Sequence, residues 1–351
     1  MAEIGARRAA LGPVSLATVF FGGGTPSLWH PKELGRVLEG IRNAFEAGPD
    51  PVEVTVECNP GSLNRDHARA LMDVGVNRLS IGVQGLDDQR LKFLGRWHSA
   101  EQALGSVRAA VASGMPRVSA DLIYGVAGQE PESAAEEASR LVGLGLNHLS
   151  AYALTIEPQT AFGALARKGR LPQAPEQATA DSFEAVDGAL AALGLAHYEI
   201  SNFARPGEEA RHNLGYWRGL DYVGLGCGAW GTLPRGAGRV RYRNRPQPEG
   251  YMATATKLLA EPEALESLES ETEPLSPETR LQEAIMLGLR LAEGVDVARA
   301  AERTGAEMWT RERRRQATRL IAKGQLVEQG SHLRIPPEAW LFSDGIIGAL
   351  M

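Results

Sequence analysis

Residues 16–45 read LATVFFGGGTPSLWHPKELGRVLEGIRNAF, and the fold is decided there. Leu16–Phe21 is a short β-rich run, and Gly22-Gly23-Gly24-Thr25-Pro26 breaks it. Pro31–Phe45 then sets Leu34, Leu38 and Ile41 on one helical face, with Pro31 near the start. A strand that ends in a glycine loop and turns into an amphipathic helix begins a parallel βαβ unit. The glycines lack GxGxxG spacing, which argues against a dinucleotide-binding sheet.

The pattern repeats along the chain. Val52–Glu57 is followed by the helical Arg65–Val74, and Arg78–Gln84 leads through a loop and a short helix into Ala100–Ser113. Arg117–Tyr124 leads into Glu132–Leu144, and His148–Leu154 leads, after a longer connection, into Gln177–Leu193. Gly75, Gly114, Gly145 and Gly194 each sit just past a helix, as C-terminal capping glycines do. Five strands before residue 156 with right-handed crossovers predict a barrel or partial barrel. In such folds chemistry gathers at the carboxyl ends of the strands.

Composition narrows the class. The chain has 351 residues, 43% hydrophobic and 23% charged, enough for one large domain and a smaller one. A net charge of −6 argues against general nucleic-acid binding, which needs surplus Lys and Arg. The densest basic stretch, Arg311–Arg319, reads as a solvated helix face. Two cysteines, Cys58 and Cys227, exclude a disulfide framework and predict reduced cytoplasmic thiols. No run of eighteen apolar residues is present, so no transmembrane helix is expected. Arg7 and Arg8 before Val14–Phe21 faintly suggest a signal peptide, but a glycine loop follows in place of a small-x-small cleavage site, and secretion is not expected.

Polar residues recur at the predicted strand ends. Gly22–Thr25 follow the first visible strand, Glu57 and Asn59 end the second, Gln84 ends the third and Asp121 lies in the fourth, with Arg96 in the loop after the third. A lone strand-end Glu is usually a solvated rim carboxylate, and a glycine run is usually a turn. Together at one end of one sheet they suit a small zwitterion that carries a ribose. Bare glycine backbone permits close approach, a carboxylate accepts ribose hydroxyls, and Arg clamps a carboxylate.

Five segments then carry a specific resemblance: Phe20-Phe21-Gly22-Gly23-Gly24-Thr25-Pro26-Ser27, Glu57-Cys58-Asn59-Pro60-Gly61, Ser80-Ile81-Gly82-Val83-Gln84, Gly95-Arg96-Trp97-His98 and Asp121-Leu122-Ile123-Tyr124-Gly125. In order and spacing they resemble the radical S-adenosylmethionine superfamily. The similarity is to its branch of oxygen-independent coproporphyrinogen III oxidases and HemW-type heme chaperones, and it covers nearly the whole chain. The resemblance implies that Gly24, Thr25, Glu57, Gln84, Arg96 and Asp121 bind S-adenosylmethionine. His212-Asn213-Leu214-Gly215-Tyr216-Trp217 resembles the HNxxYW motif of the heme-chaperone side, and Tyr222–Trp230 continues that likeness. His212, Tyr216 and Trp217 are therefore expected in a heme region, with His212 able to act as an axial ligand between aromatic walls or simply to cap a loop packed on the barrel.

Family members begin with a strand, Cys-x3-Cys-x2-Cys and a helix. Met1–Ala10 resembles the tail of that helix, so a βα unit of roughly thirty to forty residues is expected to be missing. The in-frame DNA upstream of Met1 separates a misplaced start codon from a real loss. The [4Fe–4S] cluster expected of the family has no ligand set here, because two separated cysteines cannot replace three clustered thiolates. Radical chemistry is accordingly not expected, and neither a catalytic residue nor a metal ligand is assigned.

Glu261–Pro277, rich in Glu, Ser and Pro, reads as a linker. Beyond it Thr279–Leu291 and Ala306–Lys323 read as helices, and Leu326–Glu328 with Leu333–Ile335 as a hairpin. The same pattern also describes a winged-helix DNA reader, which the acidic balance disfavours. The expected architecture is α/β: a partial (β/α) TIM-like barrel of the radical S-adenosylmethionine type lacking its first βα unit, with a small, mainly helical C-terminal domain bearing a β wing. Its domains are residues 1–260 for the barrel and HNxxYW segment, 261–277 for the linker and 278–351 for the C-terminal domain. The expected function is cytoplasmic binding of heme and its delivery to apo-proteins, with no nucleic acid, and a homodimer is compatible with it. The alternatives are a radical enzyme of porphyrin synthesis and a degenerate barrel that only binds a partner.

Overall fold

In the computed structural model, which describes residues 1–351, one seven-stranded sheet takes up all five strands expected before residue 156. Its strands are β1 (Thr18–Phe21), β2 (Glu53–Cys58), β3 (Arg78–Gln84), β4 (Arg117–Tyr124), β5 (His148–Ala153), β6 (Ala196–Glu199) and β7 (Asn202–Ala204). They lie in the order β1-β2-β3-β4-β5-β7-β6. β2 to β5 are parallel, and the last two strands join antiparallel. β1 and β6 are the two edges, so the barrel is partial and not closed by hydrogen bonds.

Strict alternation gives this sheet two different faces. Val54, Val56 and Cys58 on β2, Leu79, Ile81 and Val83 on β3, Val118, Ala120 and Leu122 on β4, and Leu149 and Ala151 on β5 are all buried. Helix Ala100–Ala112 touches β3 and β4, and helix Pro131–Val142 touches β4 and β5, which covers this apolar side. The intervening residues are polar: Glu53, Thr55 and Glu57, then Arg78 and Ser80, then Ser119 and Asp121, then His148 and Ser150. Parallel strands are usually apolar on both faces because helices cover both. Here one face turns toward a polar interior.

That interior is tied together internally. Arg78 Nε donates to Glu53 Oε2 at 3.0 Å, and Arg78 Nη2 donates to the carbonyls of Glu208 and Glu209 at 2.9 and 3.0 Å. His148 Nε2 and Tyr198 Oη are 2.9 Å apart. Burial, with Arg78 nearby as the lesser cause, pushes the His148 imidazole down to about 3, so it is neutral.

Two compact units divide the chain: Val19–Gly35 with Glu53–Ala210, and Met1–Thr18 with Arg36–Val52 and Arg211–Met351. The second holds an antiparallel sheet of β8 (Trp230–Arg235), β9 (Gly238–Asn244) and β10 (Glu269–Leu275). Residues 261–277, expected as a linker, are thus mostly a 3-10 segment, Pro262–Leu268, and the strand β10. The reason lies in the charges. Glu271 and Glu273 stand opposite Arg243 and Arg241 of β9 and accept from them at 2.8 and 3.0 Å. Cross-strand ion pairs make a strand of an acidic run that composition alone assigns to solvent.

Helix Ala2–Leu11 is fastened to the same sheet by buried charge. Arg7 donates to Glu269 Oε1 at 2.9 Å and to Asn244 Oδ1 at 3.0 Å, and its guanidinium lies 3.8 Å from the Tyr242 ring centroid. Glu3 accepts from the Gly226 amide at 2.9 Å, from Asn244 Nδ2 at 2.7 Å and from the Tyr251 hydroxyl. Farther along, helices Pro277–Gly288, Val297–Thr304 and Arg311–Ala322 precede the hairpin Val327–Gln329 and His332–Arg334, which Val295–Asp296 extends to three strands. The last of these helices starts at Arg311, not Ala306, because Thr310 caps it by accepting from the Arg313 amide at 3.1 Å. Its arginines are not all solvated. Arg313 is buried and donates to Leu350 O, Met308 O and Glu278, and Arg314 pairs with Glu328.

Side chains of Arg7 and Glu269 are only 1% and 2% exposed. Arg7→Ala leaves Glu3 and Glu269 without a buried cation, and such losses cost about 3–5 kcal/mol. Arg235, which also donates to Glu269 at 2.7 Å, keeps the expected loss at the lower end. Urea unfolding of wild type and Arg7→Ala measures it, and equal midpoints would show that the network contributes little.

Candidate functional site

The loop after β1 is shaped for close approach. Gly23 and Gly24 have φ of 81° and 67°, a region other residues avoid. Gly23 N–H donates to Glu57 Oε2 at 3.2 Å, which ties the loop to the end of β2. A Cβ on Gly22 would lie 2.5 Å from the Phe20 ring and 3.3 Å from the Glu57 carboxyl carbon. Asn59 Nδ2 donates to Thr25 Oγ1 at 2.9 Å. Gly24, Thr25 and Glu57 are thereby gathered at one end of two neighbouring strands.

Gln84 ends β3 with φ of 67°, the one non-glycine residue in the left-handed region. The ladder to β4 shifts register between Ile81 and Gln84. Its amide Nε2 folds back to 2.9 Å from where a Cβ of Gly82 would be, so a side chain at Gly82 would displace it. Held strain of this kind clusters at ligand sites. The loop that follows is pinned at both ends. Leu86 N–H donates to Glu137 Oε2 at 3.1 Å, Arg90 pairs with Glu137, and His98 Nε2 meets Val83 O at 2.9 Å. This carries the exposed Arg96 on a fixed turn whose amide donates to Leu91 O at 2.8 Å.

Asp121 sits on the polar face of β4. Ser80 Oγ donates to its Oδ1 at 3.2 Å, and Ser150, its register partner on β5, also bonds it. Burial pushes the Asp121 carboxyl up to about 6, with the Glu57 charge adding to the rise and the two serines and Arg96 opposing it. Burial also raises the Tyr152 phenol, on the next strand, to about 12, and the Asp121 charge adds to it. Glu57, Gln84, Arg96 and Asp121 thus share one end of one sheet. Ser80, Ser150 and Tyr152, which the sequence reading passed over, complete the polar surface. The signal that finds them is the period-two alternation of RLSIGVQ and HLSAYA.

Donors and acceptors here fit S-adenosylmethionine: glycine backbone, a carboxylate of the kind that accepts ribose hydroxyls, and a guanidinium. They do not fit an iron–sulfur cluster. Cys58 is buried, and desolvation pushes its thiol up to about 12. Cys227 is exposed, and no three His, Cys, Asp or Glu residues gather as a metal-holding group. A cluster needs thiolates at clustered positions, so these residues supply no site for it.

The second unit holds the HNxxYW segment on a helix, Arg211–Trp217, and not in a loop. His212 Nδ1 is 2.8 Å from Thr18 Oγ1. The His212 and Tyr216 rings meet edge to face at 4.8 Å, and Tyr216 meets Tyr222 the same way at 4.7 Å. Arg290 lies 5.8 Å from the Trp217 ring centroid. The following glycine loop is held by the Tyr242 hydroxyl, which accepts from Gly224 N–H at 2.8 Å and donates to Gly224 O at 3.0 Å.

The raised Asp121 carboxyl has a measurable consequence. Its value in the fold is above its unfolded value, so the charged form destabilises the fold above pH 6 and that penalty fades as pH falls toward 4. Asp121→Asn is expected to stabilise the chain by about 1–2 kcal/mol at pH 7 and progressively less toward pH 4. Thermal unfolding across that range checks it. A gain that does not vary with pH would refute the assignment.

Comparison with known proteins places these features. Residues 3–141 match the radical SAM superfamily, and residues 275–342 match the HemN C-terminal domain. The heme chaperone HemW of Mycobacterium tuberculosis is 34% identical over 355 aligned positions, spanning all of this chain and 84% of its own. That of Bacillus subtilis is 34% identical over 86% of this chain and 76% of its own. Among solved structures, the coproporphyrinogen III oxidase HemN of Escherichia coli superposes with a TM-score of 0.77 at 18% identity, covering 99% of this chain and 81% of that one. With a relative 34% identical over its whole length, the chain belongs to the HemW family of heme chaperones within the radical SAM superfamily.

Proposed function

We propose that this chain binds heme in the cytoplasm and delivers it to apo-proteins, and that its barrel binds S-adenosylmethionine. The observation that carries the heme reading is His212. Its Nδ1 is fixed by Thr18, as metal-ligating imidazoles are commonly fixed through the ring nitrogen opposite the metal. An Nδ1–H that donates to Thr18 Oγ1 leaves the lone pair on Nε2, the form that ligates iron. Tyr216 and Trp217, on the same helix, offer flat apolar surface to a porphyrin and limit water at its face. The relatives' designation as heme chaperones agrees with this use.

In the barrel, Glu57 is suited to accept the ribose hydroxyls, Gly24 and Thr25 to take the ends of the amino acid, and Arg96 to clamp its carboxylate. Gln84 and Asp121 would complete the set. In the family, S-adenosylmethionine is chelated by cluster iron. The cysteines of these 351 residues do not supply that iron site, so the chain's contribution is binding and orientation.

Heme titration followed by Soret absorbance is expected to saturate with the wild type. His212→Ala should abolish the ligand-dependent Soret position, and Thr18→Val should weaken binding by about tenfold, as loss of an outer-shell partner does. Well-folded wild type with no saturable Soret change would sink the chaperone reading. An unchanged spectrum in His212→Ala would remove only the ligand assignment. For the barrel, Arg96→Ala should cost about 1.5–3 kcal/mol of S-adenosylmethionine affinity by calorimetry, the worth of a charge-assisted hydrogen bond. Equal affinities would take Arg96 out of the site.

A further inference from the structure

Three arginines share one face of β9, and their partners differ. Arg243 stands opposite Glu271 of β10, and Arg241 stands opposite Glu273. Both are paired, Arg241 also with Glu283. The third rung breaks the pattern, because Arg239 stands opposite Leu275. Its one carboxylate is Asp221. Around it the charge is positive. Burial pushes Arg239 below the usual arginine range, with Arg280 and Arg303 contributing. Burial does the same to Arg303, with Arg299 and Arg280 contributing.

These groups come from two packed helices, Pro277–Gly288 with Arg280 and Val297–Thr304 with Arg299 and Arg303. Arg299 and Arg303 are four apart on one helix, where like charges destabilise by a few tenths of a kcal/mol. Asp296, the residue just before the helix, is engaged in capping it through the amides of Ala298 and Arg299 at 3.1 Å each. Of these four arginines only Arg239 is in an ion pair, with Asp221. Such a cluster is relieved by an anion from outside, and planar guanidinium groups match carboxylates two bonds at a time.

Its position says which anion. Arg303 donates to the carbonyls of Arg218 and Gly219, the residues directly after the HNxxYW helix, at 3.3 and 2.9 Å. Arg280 donates to Arg303 O at 2.6 Å. Asp221, the partner of Arg239, immediately precedes Tyr222, whose ring begins the edge-to-face run through Tyr216 to His212. His212 and Trp217 are about 8 Å apart along the helix, a distance comparable with that from heme iron to its carboxylate edge.

We infer that the Arg239, Arg280, Arg299 and Arg303 cluster receives the two propionate carboxylates of a heme whose iron is held at His212. The inference rests on the heme reading above and deepens it. The cluster orients the porphyrin edge and gives the site a preference for dicarboxylate tetrapyrroles over uncharged ones.

The test compares hemin with hemin dimethyl ester, in which both propionates are neutral, on the full chain. Wild type is expected to bind hemin at least tenfold more tightly than the ester. Arg299→Gln and Arg239→Gln are expected to weaken hemin by a similar factor and to leave ester affinity unchanged, with thermal unfolding confirming the fold. Equal binding of hemin and ester by wild type would overturn the inference, as would variants that weaken both ligands alike. Wild type that binds neither would overturn the heme reading itself, a result distinct from equal binding of both.

Discussion

Everything in the central sheet follows from a polar barrel interior. A parallel sheet with hydrophobic residues on both faces would bury itself between two helical layers and leave neither face open to a ligand. Here helices cover one face, and the other carries Glu53, Glu57, Arg78, Asp121 and His148. Buried charge is tolerated only when paired, so the bottom of this face is closed by Arg78, Glu53 and the Glu208 and Glu209 carbonyls. At the carboxyl ends the pairing relaxes. Asp121 has serine partners and an elevated affinity for a proton, Gln84 holds a strained backbone, and Arg96 stands exposed. The face is thus satisfied at one end and receptive at the other.

The other unit solves a related problem with a different device. Arg7, Glu3, Asn244 and Glu269 bind helix Ala2–Leu11, β9 and β10 through buried ionic contacts where apolar packing could have served. The arrangement also reaches the loop Gly224–Gly228, since Glu3 accepts from Gly226 N–H and Asn244 donates to Gly226 O at 2.9 Å. Gly224 leaves no room for a side chain, because a Cβ there would stand 2.1 Å from the Trp230 carbonyl. Gly224 is therefore required by backbone packing, and Gly226 and Gly228 by their positive φ of 98° and 70°.

Most of the barrel was legible because its signals are local. Strands β3 and β4 run over the residues that alternation marks, Arg78–Gln84 and Arg117–Tyr124, and the glycines at 75, 114, 145 and 194 all adopt positive φ past their helices. The residues proposed for binding are legible through their motifs, and their gathering at one end of the sheet follows from strand-end placement. What was not legible depends on pairing across long stretches of chain. β10 reads as solvated linker until β9 places arginines opposite its glutamates, and Arg313 reads as a surface charge until Leu350 O and Glu278 meet it. Ser150 and Tyr152 carry no motif of their own, and Ser80 opens one in which only Gln84 is marked as a candidate binding residue. Only the opposition of β3, β4 and β5 turns three scattered polar residues into one surface around Asp121.

Fold alone does not separate a radical oxidase of tetrapyrroles from a heme carrier, since HemN shares this architecture at 18% identity. The separation lies in which side chains are equipped for which task. Groups suited to S-adenosylmethionine sit at strand ends, the place this fold keeps for ligands whatever its chemistry. Groups proposed for heme sit on the short helix Arg211–Trp217, where His212 Nδ1 lies 2.8 Å from Thr18 Oγ1. A carrier needs iron ligation strong enough to hold heme and weak enough to release it. The proposed site, one imidazole on a half-buried helix with screened charge at the porphyrin edge, would meet both conditions better than a deep cage.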